Sequence, residues 1–373
     1  MTSIGGAEMV DWNLAVATAT RLVRPGPEVS RDEARAVVAE LRRHAKASEQ
    51  HVRGFTRMGT DDIHDTPILV VDRPGWVRAN VAGFREVLKP LLDKMQERRG
   101  NTPGGAVFGA VGGKATGVEL GMLLSFLSSR VLGQYETFAP ASRELPAGAK
   151  GGRLLLVAPN IVHVERELDV EPHDFRLWVC LHEETHRTQF TAVPWLRDHL
   201  EGEIQSFLGE TEVDPMTVLE RIREAAQSLA GGRPEGEEDD EGRSLVEIVQ
   251  TPAQREILGR LTAVMSLLEG HADFVMDGVG PDVVPSVAEI REKFQQRRAK
   301  GASRLDSALR KLLGLDAKLR QYRDGERFVR AVVDQVGMDG FNRVWTSPNT
   351  LPTKTEIAKP ADWVARVHRK ADS

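Results

Sequence analysis

Cysteine is nearly absent from this chain, which has a single one, Cys180, among its 373 residues. One thiol excludes an internal disulfide framework, and its rarity fits a reducing compartment. Cys180 precedes His182 by two residues, so on a helix the two side chains point in different directions. We therefore predict that Cys180 is a core residue and not a metal ligand.

An excess of basic residues is missing as well. The chain has 50 Lys and Arg against 55 Asp and Glu, which gives a net charge of −5, and its pI is about 6.1. Nucleic acids and anionic membranes are bound through basic surfaces. The charge balance therefore argues against both kinds of partner.

Long apolar runs are also lacking. The best candidate for a membrane span, residues 104–127, is interrupted by Lys114 and Glu119 and is rich in glycine, so we predict no span. The first eight residues lack the basic and then apolar pattern of a secretory signal, and we predict a cytoplasmic location. Several glycines are closely spaced from Gly104 to Gly113, and Gly117 and Gly121 follow on one side of a predicted helix. The cluster follows no strand and lacks a nucleotide-loop pattern, so close helix packing or a flexible turn is the favoured interpretation.

Sequence typical of β-strands is scarce. The clearest runs are residues 153–158 and 160–164, and Pro159 between them suits an edge strand, where a peptide could add by main-chain pairing. Helical spacing dominates elsewhere, so we predict a mainly α fold of the α+β class, with a small twisted sheet and extensive helices. The predicted helices cover residues 11–23, 30–56, 72–99, 116–133, 171–190, 195–208, 213–229, 252–277, 285–300, 303–313 and 325–336.

Three regions are predicted along the chain. Residues 1–150 form an N-terminal helical region, residues 151–280 a core that carries the chemistry, and residues 281–373 a C-terminal helical region packed on that core. Within the core, residues 231–243 are glycine-rich and acidic with no apolar anchor. This composition predicts a disordered surface insertion.

The chemistry is carried by the pentapeptide His182-Glu183-Glu184-Thr185-His186, which follows an apolar run. Residues four apart share one face of a helix, so His182 and His186 can hold one metal ion while Glu183 lies at its rim. This is the arrangement of zinc peptidases, in which Zn²⁺ activates water and the glutamate acts as general base. The alternative is that both histidines are ordinary, partly buried helix residues.

A third protein ligand is needed. The solution with a glycine three residues after the second histidine, and a third histidine three residues further on, is excluded because Gln189 and Ala192 occupy those positions. A glutamate on a later helix remains. Candidates are Glu201, Glu203, Glu210, Glu212 and Glu269.

Glu269 is the favoured candidate because of its helical position. It lies at the edge of an apolar stripe that includes Met265 and Leu268, where an unpaired carboxylate would be costly. Asp273, one turn further on, could accept the second ring N–H of a zinc-bound histidine. The alternative for this pair is two half-exposed acidic residues on an ordinary amphipathic helix.

These two motifs resemble the gluzincin pattern, and the chain from residue 11 to 367 resembles the zincin-like metallopeptidases found widely in actinobacteria. Members of that family are often labelled as associated with deazaflavin-cofactor biosynthesis. The resemblance implies a zincin core in which a short sheet lies beside the motif helix and a second, glutamate-bearing helix. It assigns His182, His186 and Glu269 to Zn²⁺, Glu183 to general base and Asp273 to support of a ligand.

Gluzincins commonly stabilise the oxyanion with a tyrosine or histidine, for which the resemblance offers Tyr135, Tyr322 and His271. The function expected is zinc-dependent hydrolysis of a peptide or protein substrate. Two alternatives stay open at this point. One is a catalytically silent zincin-fold binding protein, and the other is an amidohydrolase that acts on a small metabolite.

Overall fold

The computed structural model describes residues 9–59, 66–99, 105–139, 152–209, 252–300 and 315–369. The predicted helices at 213–229 and 303–313 and the acidic segment 231–243 lie outside these ranges. The described strands are β1 (Ile68–Val71), β2 (Gly133–Glu136) and β3 (Arg153–Val157). The described helices are α1 (Trp12–Leu22), α2 (Arg31–Thr56), α3 (Arg73–Arg99), α4 (Gly105–Ser128), α5 (Ala158–Leu168), α6 (Pro172–Ala192), α7 (Pro194–Gly209), α8 (Pro252–Gly278), α9 (Val287–Lys300), α10 (Leu315–Phe341), α11 (Lys354–Ala358) and α12 (Pro360–Arg369).

The predicted fold class is confirmed: the molecule is mainly helical, with one three-stranded mixed sheet in the order β1-β3-β2. β1 runs parallel to β3, and β2 runs antiparallel to it. β3 is central because its apolar run is buried throughout, as strands covered on both faces are. β1 and β2 precede residue 150 in sequence, so the sheet crosses that predicted boundary, and the division into three regions stays a prediction.

The prediction of a second strand at 160–164 is wrong. Those residues belong to α5, in which Pro159 occupies the first turn, where its fixed φ favours a helix and its missing N–H costs nothing. Pro159 therefore ends β3 instead of marking an edge, and β3 is the central strand. The edge strand nearest the motif helix is β2, which contacts α6 through Gly133.

Helix α6 lies in the largest core of the described molecule, between α2, α5, β3 and the end of α8. Cys180 is fully buried in this core, with its sulfur 3.8 Å from the carbonyl oxygen of Leu41. Burial raises the pKa of this thiol well above its ordinary value. The prediction that Cys180 is a core residue is confirmed.

Two pairs of helices approach closely at glycines. A Cβ at Gly121 of α4 would lie 2.7 Å from the carbonyl oxygen of Ala15 in α1, which confirms the interpretation of close helix packing. Gly270 of α8 and Gly325 of α10 face each other, and a Cβ on either would overlap the backbone of the opposite helix. Glycine is therefore required at both positions.

Helices pack around the sheet without forming a membrane-crossing segment. Among the helices in the described ranges, none is both long and apolar enough to span a bilayer.

Candidate metal centre

The motif lies in the middle of α6, which begins where the sequence predicts. Glu171 caps the helix through a hydrogen bond that its side chain accepts from the backbone N–H of His173, and Pro172 occupies the first turn. The apolar lead-in before the motif is buried against the core. The cap fixes the start of α6, and the buried lead-in fixes its rotation against the core. The two motif histidines therefore project from the helix in a defined direction.

His182 and His186 converge with Glu269 of α8. The Nε2 atoms of the two histidines are 3.3 Å apart. The carboxylate oxygens of Glu269 lie 3.6 Å from Nε2 of His182 and 3.7 Å from Nε2 of His186. Ligands about 2.1 Å from a tetrahedral zinc ion are separated by about 3.4 Å. Oε2 of Glu269 faces His182 and Oε1 faces His186, so the three side chains surround a common point at distances close to that spacing. Imidazole nitrogen and carboxylate oxygen are donors that zinc accepts.

The second ring nitrogen of His182 faces α8 as well. Nδ1 lies 3.6 Å from Oδ1 of Asp273 and 3.2 Å from the sulfur of Met276. A proton on Nδ1 directed at these acceptors leaves the Nε2 lone pair for a metal. Asp273 thus lies where the sequence places a supporting carboxylate, and Met276 is an additional neighbour that the sequence did not indicate.

Gln189 performs the corresponding function for His186. Its amide nitrogen donates to the carbonyl oxygen of Leu268 at 2.9 Å, and its amide oxygen lies 3.0 Å from Nδ1 of His186. The Leu268 carbonyl can only accept, so it fixes which end of the amide faces the histidine. The amide oxygen can likewise only accept a hydrogen bond, so Nδ1 of His186 carries the proton. The lone pair on Nε2 of His186 is then available to a metal. Gln189 also connects α6 to the residue before Glu269.

The two histidines differ in their protonation. Burial by itself would lower the pKa of His182, but a hydrogen bond to Glu269 and the charges of Glu183, Glu269 and Asp273 raise that pKa to about 9. Burial lowers the pKa of His186, and Glu269 opposes this shift only in part. At neutral pH these shifts favour a proton on His182 over one on His186, beside the carboxylate of Glu269.

Glu183 is buried, with 6% of its surface exposed. It packs against Gly133 at the start of β2, where a Cβ would lie only 2.5 Å from Cγ of Glu183. Burial, with a smaller contribution from the charge of Glu269, raises the pKa of Glu183 to about 7. A pKa near neutrality suits a group that must both accept and return a proton.

The three converging residues and Glu183 open onto a cleft of about 810 Å³. Phe84, Leu258 and Met265 border it and leave 37 to 41% of their surfaces exposed. Met265 belongs to the predicted apolar stripe of α8, yet it faces the cleft, whereas Leu268 on the same stripe is buried. The cleft therefore has a polar floor and an apolar wall.

The candidates for oxyanion stabilisation are dispersed. Tyr135 borders the cleft, but its ring stacks on Phe190 at 5.5 Å and its hydroxyl is directed at Gly152. Burial raises the pKa of Tyr135 to about 12. The side chain of Tyr322 lies outside the described residues.

His271 is fully buried between the rings of Phe341 and Trp345, away from the cleft lining. Its Nδ1 is 3.1 Å from the amide nitrogen of Gln189, and its Nε2 has no hydrogen-bond partner. Burial lowers the pKa of His271 to about 3, so the ring is neutral. Gln189 lies between His271 and His186, and His271 does not line the cleft onto which the metal-binding residues open.

The two rival glutamates within the described ranges, Glu201 and Glu203, have other partners and do not join the motif histidines. Glu203 of α7 is 2.9 Å from the guanidinium of Arg260, and Glu201 accepts a hydrogen bond from Gln205 at 3.2 Å. The two others, Glu210 and Glu212, lie outside the described residues.

Three residues of the site were missed by sequence reasoning: Met276, Gln189 and Gly133. A buried polar residue one turn after His186 was a usable signal for Gln189. Nothing in the sequence marked Gly133, because its importance arises only from the pairing of β2 with β3.

The chain is similar to known proteins over most of its length. A model of the zincin-like metallopeptidase family matches residues 10–364. A solved structure from Chloroflexus aurantiacus, described as "a putative hydrolase with a novel fold", is similar with a TM-score of 0.67 and 30% sequence identity, over 96% of this chain and 99% of that one. No curated protein matches. Together these findings support a metal-binding hydrolase. The chain belongs to the zincin-like metallopeptidase family.

Proposed function

We propose that this protein is a zinc-dependent peptidase of the gluzincin type. The observation that carries the proposal is the convergence of His182 and His186 with Glu269, which lies more than 80 residues later in the sequence, beside the buried carboxylate of Glu183. His182, His186 and Glu269 would hold Zn²⁺. When bound, the ion supplies a Lewis acid that polarises the scissile carbonyl and activates water.

Glu183 accepts the proton of the attacking water and returns it to the leaving amine. Its side chain is held in place by the contact with Gly133. Because its pKa is raised to about 7, the carboxylate can take a proton from water and can also give that proton to the amine. Asp273 and Gln189 keep the Nδ1 protons of the two histidines directed away from the metal. Tyr135 points toward Gly152, so we place no step on it.

A peptide is the substrate that the cleft fits best. Among the described residues β2 pairs only with β3, so its outer edge can accept an extended chain by main-chain hydrogen bonds. This edge begins at Gly133, beside Glu183, which would place a paired peptide bond near the base. The exposed wall of Phe84, Leu258 and Met265 then receives apolar side chains of the peptide.

The decisive experiment measures zinc-dependent peptide cleavage. Protein stripped by a chelator and then reloaded with Zn²⁺ is incubated with a library of quenched fluorescent peptides. We expect cleavage that is lost on stripping and restored by zinc. Tight zinc binding without cleavage of any peptide would contradict the proposal and favour a silent binding protein. Hydrolysis confined to amides of small molecules would favour a metabolite amidohydrolase.

Replacement of Gln189 with leucine tests how His186 is oriented. We expect Gln189→Leu to weaken zinc binding about 10 to 100-fold, because the imidazole loses the acceptor that selects its tautomer. The measurement is competition with a chromogenic zinc chelator at fixed pH. Thr191→Val is the matched control, because Thr191 lies on the same helix and bonds only to backbone carbonyls of α6. Equal zinc affinity in both variants would show that Gln189 does not position His186.

A further inference from the structure

A second group of metal-binding side chains lies at the beginning of α6, away from the proposed catalytic centre. It consists of Glu40 and His44, which are one turn apart on α2, and His173 in the first turn of α6. Oε1 of Glu40 is 3.4 Å from Nε2 of His44 and 2.9 Å from Nδ1 of His173. One oxygen and two imidazole nitrogens thus surround one point, with the donor types that zinc prefers.

His44 provides a second indication that this group binds a ligand. Only 7% of its surface is exposed, and its Nε2 atom, which lies 3.4 Å from Oε1 of Glu40, makes no well-aligned hydrogen bond with any described residue. A buried nitrogen without a partner is costly, and a bound cation would satisfy it.

Arg176 does not fill this place. Its guanidinium contacts the other oxygen of Glu40, Oε2, and also forms two hydrogen bonds with Glu165. Oε1 therefore remains directed at the histidines, in an orientation that Arg176 fixes. The side chain of His173 is 60% exposed and is free to adjust its distance.

We propose that Glu40, His44 and His173 bind a second divalent cation of the zinc class, which fixes α2 to the start of the motif helix. His173 precedes His182 by nine residues, or about 13 Å along the helix axis, so this site shares no ligand with the proposed catalytic one. Three protein ligands and an open position toward solvent complete a tetrahedral zinc site. The role proposed for the ion is to link the two helices, because Glu40 and His44 lie on α2 and His173 lies on α6.

The test is zinc stoichiometry in single and double variants, measured by elemental analysis after stripping and reloading. We expect two zinc ions per chain in the wild type, one in His173→Ala, one in His186→Ala and none in the double variant. Zinc should also raise the melting temperature of His186→Ala but not that of the double variant, because only the former retains a site in the native state. Glu269→Gln replaces His186→Ala if that variant does not fold.

The outcomes separate this proposal from the proposed function. One zinc ion in both wild type and His173→Ala, with none in His186→Ala, would overturn the second site alone. One zinc ion in the wild type that is lost only in His173→Ala would support the second site and contradict the catalytic one. His163→Ala is the matched control: His163 is an exposed histidine that pairs with a single carboxylate, Glu167, at 3.8 Å. A loss of zinc in this control equal to that in His173→Ala would mean nonspecific surface binding.

Discussion

Glu183→Gln is expected to reduce kcat/KM for peptide hydrolysis by about 10² to 10⁴-fold while the zinc content stays the same. Glutamine has nearly the shape of glutamate and can keep the packing against Gly133, but it cannot accept a proton. The measurement is steady-state kinetics on the best library peptide, with metal analysis of the same samples. Cleavage that survives the substitution, in protein that retains its zinc, would refute Glu183 as the base.

The pH profile gives a second measurement on the same variant. Because the pKa of Glu183 is raised to about 7, the base is increasingly protonated, and therefore inactive, as the pH falls below that value. A bound cation lowers this pKa, so kcat/KM should decline on the acid side at pH 7 or below. The residual activity of Glu183→Gln should lack this decline.

Glu184→Gln is the matched control for the base. Glu184 is the next residue, equally buried, and forms an ion pair with Arg187 away from the cleft lining. Its replacement removes the charge partner of the buried Arg187 and is expected to lower the melting temperature. The decline of kcat/KM at acid pH should remain as in the wild type. If Glu184→Gln lost the decline of kcat/KM at acid pH, that decline would report the titration of Glu184 and not that of Glu183.

The second large effect is expected from Glu269→Ala, which should weaken zinc binding by more than 100-fold and abolish cleavage. The change removes one of three protein ligands, and this should cost more than the loss of an outer hydrogen-bond partner, which typically costs 10 to 100-fold. Glu203→Ala is the control, because Glu203 is a rival candidate on α7 that forms an ion pair with Arg260. If the two variants bound zinc equally well, Glu269 would not be the third ligand.

The parts of the site that follow helical periodicity could be predicted from the sequence. His182, Glu183 and His186 lie within two turns of one helix, so their relative positions depend only on local geometry. The same periodicity placed Glu269 and Asp273 on one face of a later helix. That these two helices would meet was supplied by the resemblance and by the cost of burying a carboxylate, not by any local pattern.

Long-range contacts account for what the sequence did not show. Residues 160–164 have β-branched side chains typical of strands, but Pro159 and packing on α6 make them helical. The sequence predicts an edge strand at residues 153–158, but β3 is the central strand. It is central because β1, more than 80 residues earlier, pairs with its other side. Gly133 acquires its role only after β2 has docked on α6, so it could not be identified from its neighbours in sequence. Gln189 lies one turn from His186, but its contact with Leu268 forms only after α8 has docked.

The contact between Gly270 and Gly325 makes the metal centre dependent on residues that bear no functional group. A methyl group at either position would force α8 and α10 apart. Glu269 is adjacent to Gly270 and would move with α8, whereas the histidines are held in the core around α6. Natural variation at these two glycines is therefore limited by the spacing of the helices, and a survey of tolerated substitutions would find them as restricted as the ligands themselves.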